Sequence, residues 1–269
     1  MTFRPVKSGQ YEPVTSTSAK DCVAATTAML IERATVGRLR PTHATIRKAS
    51  GAPSTRGLYL YEAVNAAKTL GVTLVASLWN SRNTMRDTVA GGAAVGVTIH
   101  TSVTRYTTRR TNYYVGPHEV YVQAYNYWPA GEVCACEKKT ATAHGEYSVE
   151  DPGTTSVGYL QWSADLVYRA AEKLTGGGIN LLIAPDTEIR PWKAAIAGQI
   201  RSEPDYDTGR KLADIVLGRT YKGGRTENGG NWLRADGSKA NGWTHVVISG
   251  TTPETYKWGW WAGRAGRQA

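Results

Sequence analysis

Three residues in this 269-residue sequence could act together as a nucleophilic centre, and they occur in the order cysteine, histidine, aspartate. Cys22 stands in the first turn of a stretch, Asp21-Cys22-Val23-Ala24-Ala25-Thr26-Thr27-Ala28-Met29-Leu30, that reads as a helix with Asp21 as its N-cap. A thiol at that position sits at the positive end of the helix dipole, and unpaired backbone N–H groups point toward it. Both effects favour thiolate over thiol. His118 opens an alternating run through Val120 and Val122, which reads as a β-strand. Asp151 ends another strand, Tyr147–Glu150, and is followed by a Pro152-Gly153 turn. Thiolate, general base and orienting carboxylate is the division of labour such a set implies. Taken singly, each residue has a plainer reading: a small core hydrophobe, a strand-edge histidine, a turn aspartate before proline.

With these residues placed, the chain resembles the papain-like cysteine peptidases, in particular the compact branch that includes leader-peptide peptidases. The resemblance is carried by Asp21-Cys22-x-Ala24, by His118-x-Val120-x-Val122 and by Asp151-Pro152-Gly153, and it covers roughly residues 10–185. Gly57 through Gly71 looks like the helix that such domains place between nucleophile and base. The resemblance implies an α+β fold: a helical half with Cys22, and an antiparallel sheet half with His118 and Asp151. It implies Cys22, His118 and Asp151 as the catalytic residues and requires no cofactor. Two positions depart from the pattern. Val23 stands where the family usually has glycine, and no glutamine lies six residues before the cysteine. Position 16 is a serine, so the oxyanion role falls to Gln10, to a hydroxyl such as Ser16, or to backbone N–H groups alone.

The elements that must position these residues follow from periodicity. Helices are expected over Asp21–Ala34, Thr42–Ala49, Gly57–Leu70, Asn83–Ala90 and Ser163–Leu174. Strands are expected over Val72–Leu78, Ala94–His100, Tyr113–Tyr127, Glu132–Lys138, Ala143–Glu150 and Ile179–Ala184, with Ala94–His100 central. Tyr106–Asn112 reads as a loop or hairpin tip. Helices first and strands second is the order of an α+β domain. After Pro185 the composition turns Gly-, Trp- and Arg-rich. There Pro191–Ile200 and Tyr206–Leu217 read as helices, Thr220–Gly242 as turns, and Trp243–Ser249 as a strand. The expected division is a peptidase domain over 1–185 and an accessory binding or docking region over 186–269.

Composition narrows the function classes. Hydrophobic residues make up 41% of the chain, enough to build a core at this length. No run of about 18 apolar residues is present to span a membrane, and the N-terminus lacks the apolar stretch of a signal peptide. The chain is therefore expected in the cytoplasm of the cell that makes it or in an assembled particle. The net charge is +10, and residues 190–269 carry 13 Lys and Arg against 7 Asp and Glu. A basic surface suits an anionic polymer or an acidic partner, but no nucleic-acid fold motif accompanies it. Five of the nine Trp fall between Trp232 and Trp261, a composition that suits either a binding surface or a small core. The three cysteines, Cys22, Cys134 and Cys136, form no complete disulfide framework. Cys134, Cys136 and His144 offer three zinc-type ligands without a fourth, so no metal site is assigned.

Three readings follow. The first is a cysteine hydrolase that cuts a peptide or related amide bond. The second is a peptidase-like structural protein without activity. The third is other thiol chemistry, such as acyl transfer. The Trp/Tyr-rich, basic composition without a signal peptide resembles that of proteins of phage particles and phage lysins. For the first reading this implies peptidoglycan stem peptides as substrate, or else a particle protein processed during maturation. Residues 190–269 would then contact wall polymer or phage structural proteins.

Overall fold

The computed structural model describes residues 20–35, 37–104, 115–128, 143–153, 159–184, 190–193, 198–202, 210–227, 243–249 and 257–262. The chain divides into two compact units. The first is Met1–Met85, Ala93–Gln123 and Tyr147–Pro185; the second is Arg86–Gly92, Ala124–Glu146 and Asp186–Ala269.

In the first unit the helices α1 (Cys22–Ala34), α2 (His43–Ser50) and α3 (Leu60–Thr69) come before the sheet, as the hydrophobic periodicity predicts. Thr42 caps α2 by accepting from the Thr45 N–H at 3.2 Å, and Gly51 ends it in the left-handed conformation. At α3 the Glu62 carboxylate accepts the Tyr59 N–H at 2.8 Å and supplies the partner that this helix start would otherwise lack. These helices share one core, in which Met29, Leu30 and Ile31 of α1 meet Ile46 of α2, Ala63 and Ala66 of α3, and Ala94 and Leu182 of the sheet. Small side chains on α1 and α3 allow this close packing.

The sheet runs β1-β6-β2-β3-β4-β5, with β1 Val75–Asn80, β2 Ala94–His100, β3 Pro117–Trp128, β4 His144–Glu150, β5 Leu160–Ser163 and β6 Ile179–Ala184. The β1–β6, β2–β6 and β2–β3 pairs are antiparallel. Strand β2 is interior, as predicted, and is mostly apolar, with Thr98 and His100 its polar residues. Gly96 faces Thr26 of α1. Alternation turns Val95, Val97 and Ile99 to the other face, all three are fully buried, and the helix α6 (Ala164–Thr175) also packs on β2 and β6. Ser163 caps α6 and Gly176 closes it. Strand β1 starts three residues later than the alternation implied, because Val72 and Leu74 are already buried before the ladder begins. The short strand β5 and the one-turn helix α5 (Thr101–Thr104) carry too few residues for a periodic signal. Helix α4 (Arg82–Ala90) follows β1. The expected loop at 106–112 and strand at 132–138 lie outside the described residues.

The second unit contains another six-stranded sheet, of order β7-β10-β11-β12-β8-β9. Its strands are β7 Arg190–Lys193, β8 Gly198–Arg201, β9 Lys211–Ile215, β10 Thr220–Glu227, β11 Trp243–Ser249 and β12 Lys257–Ala262. Within the two spans expected as helices, residues 191–193, 198–200 and 211–215 are strand and residues 194–197 and 206–209 lie outside the described residues; part of the expected turn region is β10. Pro191 reads like a helix-opening proline before an alanine-rich stretch. Instead it lies on β7, an edge strand of the sheet, opposite Lys222 of β10, where its missing N–H is tolerated. Trp261 is 2% exposed and packs with Ile200, Ile215 and Val246, so this indole is core rather than binding surface.

Gly96 is a point of close approach between α1 and the first sheet. A Cβ there would stand 2.5 Å from the Glu119 Oε1, 3.0 Å from the Thr26 Cγ2 and 3.4 Å from the Leu182 Cβ. Gly96→Ala is expected to lower stability by about 1–3 kcal/mol through overpacking. A urea titration reads this as a lower midpoint at unchanged slope, and an unchanged midpoint would contradict the packing described.

Candidate active site

Cys22 is the first residue of α1 and is half-buried; it is the one free cysteine among the described residues. Asp21 occupies the N-cap position, but its side chain makes no capping hydrogen bond. The expectation that its carboxylate caps the helix is corrected by its surroundings: the group is fully buried and turned to α2 instead. His43 and Arg47 stand four residues apart on α2 and so share a face. Arg47 Nε donates to Asp21 Oδ1 at 2.9 Å and Arg47 Nη2 donates to the same oxygen, while His43 Nε2 lies 3.7 Å from Oδ2. The same guanidinium donates to the Lys20 carbonyl at 3.1 Å and to the Arg56 carbonyl at 2.9 Å. One side chain thus holds both residues that precede the thiol and the loop leading to α3. Sequence reasoning missed Arg47, since nothing local links it to a residue 26 positions earlier.

His118 is the second residue of β3, and Asp151 directly follows the last residue of β4, the neighbouring strand. His118 Nε2 and Asp151 Oδ1 are 2.7 Å apart; the histidine is 5% exposed and the aspartate is fully buried. Asp151 Oδ1 also accepts the Gly153 N–H at 2.8 Å, which fixes the carboxylate inside its own Pro-Gly turn. Gly153 leaves little spare room: a Cβ there would sit 3.2 Å from both Asp151 Oδ1 and His118 Cε1. The Cys22 side chain is near enough to His118 to act on its charge. With Nε2 committed to Asp151, Nδ1 is the nitrogen left for the thiol. Cys22, His118 and Asp151, far apart in sequence, are therefore brought into one chain of contacts. Gln10 and Ser16 lie outside the described residues, as do Cys134 and Cys136.

The electrostatics of His118 follow from this geometry. Burial by itself lowers the pKa of an imidazole. The Asp151 charge, the Asp151 hydrogen bond and the interaction with Cys22 outweigh burial and raise it from 6.5 to about 9. At neutral pH the ring is an imidazolium between a carboxylate and a thiol, an arrangement that stabilises the thiolate. The raised value also ties stability to pH. The contribution of His118 is fully present below about pH 6.5 and is lost as pH rises through about 9.

Two outcomes are expected. Removing the guanidinium with Arg47→Ala leaves the Asp21 charge buried without its counter-ion, at a cost of about 3–5 kcal/mol. Chemical denaturation of the full chain measures it, and a loss as small as that of a surface substitution would contradict the role given to Arg47. Separately, iodoacetamide at pH 6 is expected to label Cys22 much faster than Cys134 or Cys136. Mass mapping of the labelled peptides should show that advantage disappear in His118→Ala; equal labelling of all three cysteines would contradict the ion pair.

No protein-family model matches the chain, and no curated protein matches its sequence. Among solved structures, it is similar to the peptidase domain of Streptococcus ComA, a bi-functional ABC transporter involved in a quorum-sensing pathway. That similarity has 17% identity and a TM-score of 0.37, and covers 62% of this chain and 93% of the other. It is also similar to Ly7917, at 15% identity and a TM-score of 0.17, over 65% of this chain and 59% of the other. A structure of Ly7917 with the hydrolyzing product of MDP matches at 11% identity and a TM-score of 0.19, over 70% of this chain and 94% of the other. Likenesses of this size transfer no activity, so the functional reading rests on the site itself. The first unit has the layout expected of a papain-like peptidase domain: N-terminal helices on an antiparallel sheet.

Proposed function

We propose that the chain is a papain-like cysteine peptidase or amidase with Cys22, His118 and Asp151 as its catalytic residues. The observation that carries this reading is the buried His118, held by Asp151 at 2.7 Å and paired with the side chain of Cys22. The Cys22 thiolate attacks the scissile carbonyl carbon, and the N–H groups at the start of α1 face the developing oxyanion. His118 gives its proton to the leaving amine as the tetrahedral species collapses to a thioester. The same ring, now neutral, takes a proton from water, which attacks the thioester and releases the acid and the thiolate. Asp151 holds the ring plane and the Nε2–H throughout.

The substrate read from composition is a peptidoglycan stem peptide, consistent with a net charge of +10 and an anionic polymer as the bulk of the target. In this reading the sheet of the second unit serves as a docking element for cell wall or for a phage particle. A particle protein is the alternative substrate.

The test is hydrolysis of purified cell wall, by zymography and by amine release, with Cys22→Ala and His118→Ala as controls. Cys22→Ala is expected to abolish hydrolysis and His118→Ala to reduce it about 10²- to 10⁴-fold. Activity in the wild type is expected to fall on the alkaline side near pH 9, where His118 loses its proton. Hydrolysis indifferent to Cys22→Ala would overturn the assignment. Absence of hydrolysis on both wall and protein substrates, with Cys22 still selectively alkylated, would favour the inactive scaffold.

A further inference from the structure

Glu119 is the residue after His118, and the scheme above gives it no task. Alternation along an exposed strand would put an acid there in water. In this fold it is fully buried, and neither carboxyl oxygen has a hydrogen-bond partner of normal geometry. Oε1 lies over Gly96, so close that a Cβ on that glycine would meet it at 2.5 Å. Around that point stand the Thr26 methyl of α1 and Leu182 of β6, while Thr98 is directly across the β2–β3 ladder. The Thr26 hydroxyl donates to the Glu119 carbonyl at 3.4 Å, so the nucleophile helix rests on this residue's backbone as well. None of these groups from α1, β2 or β6 is titratable. The charge that acts on Glu119 is that of His118, whereas Cys22 and Asp151 act on His118.

Resting on the cysteine-hydrolase reading, we propose that Glu119 is a charge-tuning residue of the site. It is a buried acid, neutral while the site works near neutral pH; its ionisation in alkaline solution retains the proton on His118 and loosens the seam between α1 and the sheet. Burial raises its pKa, and Thr98 and the His118 charge only partly offset this, leaving it at about 8 instead of 4.5. The coupling is reciprocal. If imidazolium favours the ionised acid, the ionised acid must favour imidazolium by the same free energy. The effect on the fold has the opposite sense. A carboxyl whose pKa is raised on folding contributes stability below about pH 4.5, which is lost as pH rises through about 8.

The two effects pull one isosteric variant in opposite directions. In full-length Glu119→Gln, the urea midpoint is expected to lose most of the decline that the wild type shows between pH 5 and pH 8, making the variant relatively more stable in alkali. The alkaline limb of Cys22 alkylation, read by mass mapping, is expected to move to lower pH by about one unit. An acid with a merely structural role would change the first readout and leave the second alone. Parallel stability curves, or an alkaline limb that stays put or moves up, overturn the proposal. Both readouts are independent of hydrolysis, so they stand even if no peptide bond is cut. Should Glu119→Gln fail to fold, infrared difference spectra of wild type labelled with ¹³C-glutamate decide. A protonated-carboxyl band is expected at pH 7 and is lost by pH 10; its absence at pH 7 overturns the proposal.

Discussion

The buried contact between His118 and Asp151 is the constraint around which the first unit is built. A carboxylate removed from water needs compensation, and Asp151 finds it in an imidazolium ring and one backbone N–H. The ring, equally buried, is compensated by that carboxylate and by the thiol side chain. Such a set is stable only if strands β3 and β4, the Pro-Gly turn and the head of α1 all hold their positions. The chemistry proposed for Cys22 thus depends on a packing arrangement that spans both halves of the domain.

A second buried pair supports the first. Asp21 and Arg47 fix the residues immediately before the thiol, and Arg47 extends the hold to the Arg56 carbonyl. Beyond it Arg56 and Glu62 meet at 2.5 Å, and Glu62 accepts the Tyr59 N–H. The nucleophile's backbone is thereby tied to α2 and α3 by directed hydrogen bonds as well as by apolar packing. Well-placed groups at fixed distances are what an acyl-transfer site requires.

Much of this site was legible in the sequence because its signals are local. A cysteine after a capping residue, a histidine before alternating valines and an aspartate before Pro-Gly each announce their position. The strands Ala94–His100 and Ile179–Ala184 were likewise explicit in their apolar runs. What could not be read depends on tertiary context. The Asp21 carboxylate goes to a guanidinium on another helix instead of capping its own. Glu119 is buried because the β2–β3 ladder is covered by α1, which alternation along one strand cannot reveal. Residues 191–193, 198–200 and 211–215 have compositions acceptable to a helix, and pairing with other strands decides against it.

The central claim is that His118 carries a proton at neutral pH because Asp151 and Cys22 hold it there. An NMR titration of ¹⁵N-histidine in the full-length protein measures this most directly. The structure predicts an imidazolium signal for His118 that persists through pH 8 and titrates near 9, moving to lower pH in Asp151→Asn. A His118 that titrates near 6.5, or one indifferent to Asp151→Asn, would contradict the account.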